Sequence, residues 1–253
     1  MMKLLTSLAV LAALTLPQGL TAQGEPPPPP PAKEKKIPKL EIGKVAHVDL
    51  MAAVRKLGLK DIDGKELNVR ALGGKTVVVN FWATRCPVQR GYEKRLAKIV
   101  ADYEKKGVVF LMVNSNAMNG ELSKDAVKGR APDEPTEMEL EKTYPEIRAT
   151  LRKHELPYRV IVDNDSKLAN LFGAKTTPDI FVFDEKRTFV YRGAIDDDQR
   201  GRKVEETYLT DVLDTLLDPK KTLKAYETPS VGCSIKRPKK AKMGGRKGKK
   251  GRE

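Results

Sequence analysis

The sequence predicts an α/β protein in which a central mixed β-sheet is flanked by helices in three layers, and three neighbouring segments carry that prediction. Lys75–Phe81 is an almost continuous apolar run, which is typical of a central strand buried on both faces. Pro87–Lys106 places its apolar residues on one helical stripe, which Gly107 closes as a C-cap. Val108–Val113 is a second apolar strand. Strand, helix and strand in this order predict a right-handed parallel crossover.

The segments around this unit complete the first half of the domain. Leu57–Val69 alternates loosely around Asp63-Gly64, which predicts a β-hairpin. Asn119–Pro135 is polar and irregular, and we expect it to be an exposed insertion. Helical character returns over Thr136–Leu156 and is interrupted near Pro145.

The second half predicts a further strand, a short helix and a hairpin. Arg159–Val162 has the apolar character of a strand, and Ser166–Phe172 forms a short helix that Asp165 is expected to cap. Asp179–Phe183 and Thr188–Tyr191 then form an antiparallel hairpin across four polar or charged residues.

The chain of 253 residues divides into four parts. Residues 1–22 combine a positive start with an apolar stretch too short to span a bilayer, so we expect a cleaved signal peptide and export to the periplasm or cell envelope. Residues 23–39 contain six consecutive prolines and predict a stiff polyproline II linker. Residues 40–218 form the α/β domain, which closes with a helix over Val204–Leu217. Residues 219–253 form a C-terminal region that contains Cys233 and a basic tail.

The net charge of +14 is concentrated at the C-terminal end. Lys236–Glu253 holds ten lysines and arginines and one glutamate, which predicts a disordered tail. Such a tail binds an anionic membrane or wall surface in a salt-dependent way, or serves only solubility. Since export is predicted, we expect no nucleic-acid partner. The two histidines and two cysteines show no metal-ligand spacing, so neither a metal nor a cofactor is predicted.

Cys86 is the first candidate for a catalytic residue. It directly precedes Pro87, and proline is well tolerated at the first position of a helix. The sulfur therefore sits among free backbone N–H groups at the positive end of the helix dipole, beside the cation of Arg85. This setting favours the nucleophilic thiolate. The alternative is a small apolar residue that only packs.

The usual partner of such a cysteine is missing. Gln89 stands where a second cysteine would complete a Cys-x-x-Cys motif, and the only other cysteine is Cys233. Whether these two cysteines meet decides the chemistry that the protein can perform.

Four motifs, taken in order, give the chain a resemblance to a known family. They are Val79–Thr84 leading into Cys86-Pro87, Thr176–Asp184, Val190–Asp197 and Gly232–Lys236, and they span Leu40 to Lys236. The chain resembles the thioredoxin fold, and in particular exported thioredoxin-like proteins of the redoxin group, the alkyl-hydroperoxide-reductase/thiol-specific-antioxidant (AhpC/TSA) relatives.

The resemblance implies roles for four residues around Cys86. Pro178 would be a cis-proline that faces the thiol, and the backbone of Thr177 would hydrogen-bond an extended substrate. Trp82 would flank the site or pack in the core. The residues expected to bind substrate are therefore Thr177, Pro178, Arg85 and Trp82. Ala83 stands where peroxiredoxins typically place a threonine, which argues against peroxide reduction.

The resemblance also implies a catalytic pair. Cys86 would attack a disulfide or oxidant, and Cys233, whose thiolate Lys236 and Arg237 would favour, would resolve the intermediate. A purely structural bridge and two independent thiols are the alternatives. The function predicted is an exported thiol–disulfide oxidoreductase that acts on protein thiols or disulfides, or on a small oxidant, with an external thiol reductant. A thiol peroxidase and a non-catalytic binding module of the cell envelope are the other candidates.

Overall fold

A computed structural model describes residues 39–116 and 143–238. The predicted signal peptide, nearly all of the proline-rich linker, the polar insertion, the start of the helical stretch at Thr136 and the tail beyond residue 238 lie outside the described residues. These assignments stay predictions. Within the two described ranges, no helix is both long enough and apolar enough to cross a membrane.

The predicted elements that fall within the described residues occur in the predicted order. The strands are β1 (Lys60–Asp61), β2 (Val77–Phe81), β3 (Val109–Asn114), β4 (Val160–Val162), β5 (Thr176–Thr177), β6 (Ile180–Phe183), β7 (Phe189–Gly193), β8 (Tyr226–Glu227) and β9 (Cys233–Ser234). The helices are α1 (Val48–Lys56), α2 (Pro87–Glu104), α3 (Pro145–Lys153), α4 (Lys167–Phe172) and α5 (Tyr208–Leu217), with a 3₁₀ turn at Val69–Leu72. One helix, α1, and three short strands, β5, β8 and β9, are additional to the predicted elements.

A mixed sheet of seven strands forms the centre of the described chain, in the order β1-β4-β3-β2-β6-β7-β8. The strands β2, β3 and β4 run parallel, as the predicted crossover requires. On the other side of β2, β6 is antiparallel, and Val79 of β2 lies between Leu111 of β3 and Phe181 of β6. The antiparallel pair β6–β7 confirms the predicted hairpin.

Helices cover both faces of the sheet. Successive residues of β2 point to opposite sides, so its apolar side chains need cover on each face. Val78 joins an apolar cluster with Leu96 of α2 and residues of α3 and α5. Val79 joins a second cluster with Leu168 of α4 and residues of α1. The predicted thioredoxin-like three-layer sandwich is therefore confirmed.

The helix that follows Cys86 begins where the sequence predicts. It starts at Pro87, and its buried face includes Leu96, Val100 and Tyr103. It ends at Glu104 with Lys105 as its C-cap rather than the predicted Gly107, which adopts φ 88° in the turn that leads to β3. Cys86 is therefore the N-cap residue, directly after the loop that leaves the central strand.

The predicted hairpin around Asp63-Gly64 is a tight turn with a single bridge between Lys60 and Glu66. The buried carboxylate of Asp61 organises it by accepting hydrogen bonds from the backbone N–H groups of Asp63 and Lys65 at 3.0 and 2.9 Å. Gly64 supplies φ 78°, a backbone angle that glycine adopts without steric cost.

The predicted cap of the short helix α4 is wrong. The carboxylate of Asp163, two residues before Asp165, accepts the N–H groups of Leu168 and Ala169, both at 3.0 Å. Asp163 reaches them because Ser166 adopts a left-handed conformation that turns the helix entrance back over it. Asp165 instead pairs with a neighbouring lysine at the surface.

Two further helices differ from the sequence pattern. The helix α1 was not predicted, because it is short and buries only Leu50 and Val54. The last helix begins at Tyr208, four residues later than Val204, since residues 204–207 form a loop.

Candidate active site

Cys86 lies at the N-terminus of α2 with an extended backbone, φ −85° and ψ 114°. Its Sγ accepts a hydrogen bond from the backbone N–H of Gln89 at 3.4 Å, so the sulfur caps the first turn. This is the helix-start geometry that the sequence predicts. The side chain is only 2% exposed.

The loop before β6 supplies the second contact of this sulfur. The Thr177–Pro178 peptide bond is cis, as predicted. The Cys86 thiol donates a hydrogen bond to the carbonyl oxygen of Thr177, with 2.9 Å between sulfur and oxygen. Cys86, Thr177 and Pro178 therefore meet as the resemblance implies, although their use by a substrate stays a prediction.

A buried ion pair holds this loop in place. Asp179 is completely buried, and its Oδ2 accepts hydrogen bonds from Arg192 at 2.9 Å and from the backbone N–H of Lys175 at 3.2 Å. The Arg192 guanidinium also lies over the ring of Phe181, 4.8 Å from its centroid. The backbone on both sides of Pro178 is thus fixed to the sheet.

Cys233 reaches the same place from the far end of the described chain. The strand β9 pairs antiparallel with β5, and Cys233 lies opposite Thr177. The Cys233 thiol is near enough to the thiol of Cys86, and to the backbone N–H of Val88 in the first turn of α2, for both groups to shift its pKa. Both cysteines are free thiols. The structure therefore brings together the two sulfurs whose meeting the sequence left open.

Burial raises the pKa of the Cys233 thiol above its usual value, and the hydrogen bond and charge of Cys86 raise this pKa further. The Val88 N–H and the ammonium of Lys236 lower it but do not cancel these effects. The prediction that Lys236 favours the Cys233 thiolate is therefore right for the contribution of Lys236 itself, but burial and Cys86 outweigh this one exposed cation and the net pKa is raised.

The residues Ser230–Arg237, here called the C-terminal segment, are anchored on both sides of Cys233. Before it, the hydroxyl of Ser230 lies 2.9 Å from that of Thr176. Ile235 is 5% exposed and packs into the apolar cluster on the α1 and α4 face. Its N–H donates to the carbonyl oxygen of Lys175 at 3.0 Å. The N–H of Lys236 donates to Asn116 Oδ1 at 2.9 Å.

The end of the C-terminal segment is held by Arg237. Its guanidinium donates to Asn170 Oδ1 at 2.8 Å and to the carbonyl oxygen of Ala174. The charge of Arg237 is therefore directed at the end of α4 and the loop that follows, and not at the Cys233 thiol that it was predicted to favour as a thiolate.

Gly232 marks the closest approach of this segment to the loop. A Cβ added to Gly232 would lie 2.2 Å from the carbonyl oxygen of Thr177 and 2.6 Å from its carbonyl carbon. Neither atom can move aside without shifting the backbone, so only glycine fits here.

Trp82 lies in the core. It is completely buried, and its indole Nε1–H donates to Oε1 of Glu93 at 2.8 Å. Its ring meets that of Tyr158 edge to face, 6.5 Å between centroids. Of the two roles left open for Trp82, core packing is the one that this geometry favours.

The sequence reasoning missed Glu93, a carboxylate on α2 below the site. Burial raises its pKa above the usual value, and the hydrogen bond from Trp82 opposes that shift. Gln89, which replaces the second cysteine, is buried beside it on the same helix face. The signal was their spacing, since positions 89 and 93 fall on the same stripe as Leu96 and Val100.

Arg85 is exposed, and its guanidinium forms a two-pronged ion pair with the carboxylate of Glu146 in the first turn of α3, one bond measuring 2.9 Å. Its predicted contact with substrate stays a prediction. His154 is exposed and is the C-cap residue of α3.

Comparison with known sequences decides the family. The sequence profile of the AhpC/TSA family matches residues 51–192, more than half of the chain. The chain belongs to the AhpC/TSA family. The matched region runs from α1 to β7 and includes Cys86 and Pro178, whereas Cys233 lies beyond it.

Two curated proteins are similar to this AhpC/TSA member. The thiol-disulfide oxidoreductase ResA of Halalkalibacterium halodurans is 36% identical over 58 residues, which are 23% of this chain and 33% of that protein. The protein of the same name from Bacillus cereus is 22% identical over 147 residues, 58% of this chain and 66% of that protein. The chain therefore spans a third of the first relative and just under two thirds of the second.

Solved structures agree with the fold. A hypothetical protein from Sinorhizobium meliloti 1021 is 25% identical with a TM-score of 0.58, over 72% of this chain and 91% of that chain. An uncharacterized conserved protein from Geobacillus kaustophilus is 23% identical with a TM-score of 0.59, over 81% and 95% of the two chains.

Proposed function

We propose that this protein is an exported thiol–disulfide oxidoreductase in which Cys86 and Cys233 form and break a disulfide. The position of the two cysteines at Thr177 carries the proposal, because Cys86 donates a hydrogen bond to the carbonyl oxygen of Thr177 and Cys233 is the strand partner of the same residue. The similarity to the two ResA proteins, which are thiol-disulfide oxidoreductases, supports it.

The step that reduces the substrate takes place between these two thiols and the substrate disulfide. The thiolate of Cys86 attacks one sulfur of a substrate disulfide, the substrate S–S bond breaks, and the leaving thiolate takes up a proton. Cys233 then attacks the Sγ of Cys86 in the mixed disulfide and releases the second substrate thiol. Two electrons reach the substrate, and the protein is left with a Cys86–Cys233 disulfide that an external dithiol reduces again.

Three features of the chain support the roles of its residues. The Gln89 N–H donates to Sγ of Cys86, and the Thr177 carbonyl accepts from it, which fixes the sulfur in the loop. The Val88 N–H at the same helix end lowers the pKa of Cys233. Protein thiols or disulfides are the substrates that the proposal assigns, and the edge of β5 beside Pro178 is the surface that would bind them.

The test compares the wild-type protein with Cys86→Ser and Cys233→Ser in the reduction of a protein disulfide by dithiothreitol. The Cys86→Ser protein should lose turnover. The Cys233→Ser protein should accumulate a mixed disulfide on Cys86, which mass spectrometry detects. A wild-type protein that does not exchange with dithiol or disulfide substrates would refute the proposal. Consumption of hydroperoxide without disulfide exchange would favour the peroxidase alternative.

Export and surface binding are part of the proposal and rest on the sequence. Residues 1–22 support a cleaved signal peptide, and the lysines and arginines of Lys236–Glu253 support attachment to an anionic surface. Fractionation of cells tests the first point. Sedimentation with vesicles that contain an anionic phospholipid, with and without residues 239–253, tests the second, and binding should weaken as salt is added.

A further inference from the structure

The proposed nucleophile is covered in this structure. Cys86 is 2% exposed, while a protein disulfide has to reach its Sγ along the line of attack. The C-terminal segment lies against it, since Cys233 is paired with Thr177, whose carbonyl oxygen accepts from the Cys86 thiol, and Gly232 lies against the same carbonyl group. A substrate therefore cannot use the edge of β5 while β9 is paired with it.

The C-terminal segment binds to β5 in the way that an extended peptide binds to an exposed strand edge. It is antiparallel to β5 and lies against the backbone beside Pro178. Beyond Cys233 it is held by the side chain of Ile235 and by the guanidinium of Arg237. Backbone pairing and a buried apolar anchor are the contacts by which an exposed strand edge takes up an extended peptide.

We infer that the C-terminal segment occupies the edge of β5 where the substrate binds. An extended strand of a partner protein displaces the segment by pairing with β5 in its place. The inference rests on the proposed function and adds to it the kind of partner. The partner strand must carry glycine directly before its reactive cysteine, because the Gly232 position leaves no room for a Cβ.

This arrangement orders the steps of the reaction. When the segment leaves β5, Cys86 becomes accessible and Cys233 moves away from it, so the mixed disulfide with the partner forms first. When the segment returns, Cys233 again lies opposite Thr177 and beside the Sγ of Cys86, where it displaces the partner. Tethering keeps the segment at an effective concentration on the order of millimolar, so it competes strongly with a free peptide.

The test measures binding of a fluorescent peptide by anisotropy to the reduced full chain. The peptide has the sequence of residues 228–238 with serine in place of Cys233, so that it binds without forming a disulfide. A second peptide also has alanine in place of Gly232. The protein variants are Ile235→Ala and Arg237→Ala, which loosen the segment in its interior and at its end, and Val231→Ala as the matched control. Val231 is in the same segment but is 50% exposed.

The first peptide should bind Ile235→Ala and Arg237→Ala at least about tenfold more tightly than the wild-type protein, because the tethered competitor is weakened. Val231→Ala should match the wild type, and the alanine peptide should bind no variant well. Circular dichroism confirms that the variants are folded. Equal affinity in all variants, no binding to the loosened variants, or tight binding of the alanine peptide would overturn the inference.

The peptide has no thiol, so its binding does not depend on exchange chemistry. If the wild-type protein reduces disulfides while the loosened variants gain no affinity, only this inference fails. If the loosened variants bind the peptide while no disulfide is ever exchanged, the proposed function fails, but the inference that β5 binds an extended strand holds.

Discussion

The Thr177 carbonyl oxygen accepts a hydrogen bond from the Cys86 thiol at 2.9 Å, and the same residue is the strand partner of Cys233. One backbone position therefore aligns both sulfurs. The contact also explains the tight approach of Gly232, which lies against this carbonyl group. The geometry of the site is set by backbone atoms, so the substitutions that test it most sharply are those that change backbone fit.

Gly232→Ala should expel the C-terminal segment from β5, because its Cβ would lie 2.2 Å from a backbone oxygen. Overpacking of this kind costs about 1–3 kcal/mol. In a Cys233→Ser background, alkylation of Cys86 by iodoacetamide should become faster. Val231→Ala in that background is the control and should leave the rate unchanged. Equal alkylation rates of Cys86 with and without the Gly232→Ala substitution would contradict the prediction.

Glu93→Gln should change how stability depends on pH. Burial raises the pKa of Glu93 in the folded protein above 4.5, its ordinary value. The folded state then binds this proton more tightly than the unfolded state, so the stabilising contribution is complete below that value and is lost as pH rises through the folded-state pKa. Glutamine keeps an acceptor for Trp82 and has no proton to lose.

The free energy of unfolding, measured in urea from pH 4 to pH 8, tests this expectation. Relative to the wild type, the Glu93→Gln protein should gain stability as pH rises across this range. Parallel pH profiles for the two proteins would show that Glu93 does not titrate in the way its burial requires.

Cys86→Ala should lower the pKa of Cys233. Burial is the largest cause of the raised pKa and remains, but the hydrogen bond and charge of Cys86 are removed. Lys236→Ala should shift the same pKa upward, since the ammonium lowers it. The pH dependence of alkylation at Cys233, followed by mass spectrometry, measures both shifts. Shifts in the same direction for the two variants would refute this account of the site.

Asp179→Ala should destabilise the protein by about 3–5 kcal/mol, because it leaves Arg192 without its buried partner. The loop before Pro178 should also loosen, as the Lys175 N–H loses its acceptor. Asp165→Ala is the matched control, since it breaks an exposed pair and should cost less than about 0.5 kcal/mol. Urea unfolding of the two variants measures both values, and similar losses would contradict the role given to Asp179.

Local patterns account for most of what the sequence predicted correctly. The apolar run of β2 and the stripe of α2 are visible because burial repeats with the period of the element that carries it. The helix start at Pro87 follows from proline alone. Capping was harder to predict: Asp163 caps α4 because Ser166 turns back the chain, and no pattern of residue types encodes that turn.

The order of the elements, the family and the position of Cys86 at a helix start can be read from the sequence, since each is carried by short local motifs. The position of Cys233 beside Cys86, and the rise of the Cys233 pKa by burial against the effect of Lys236, follow only from the folded chain. The reason is that strand pairing between β5 and β9 joins segments far apart in sequence, and the electrostatics of a thiol depend on what the fold packs around it.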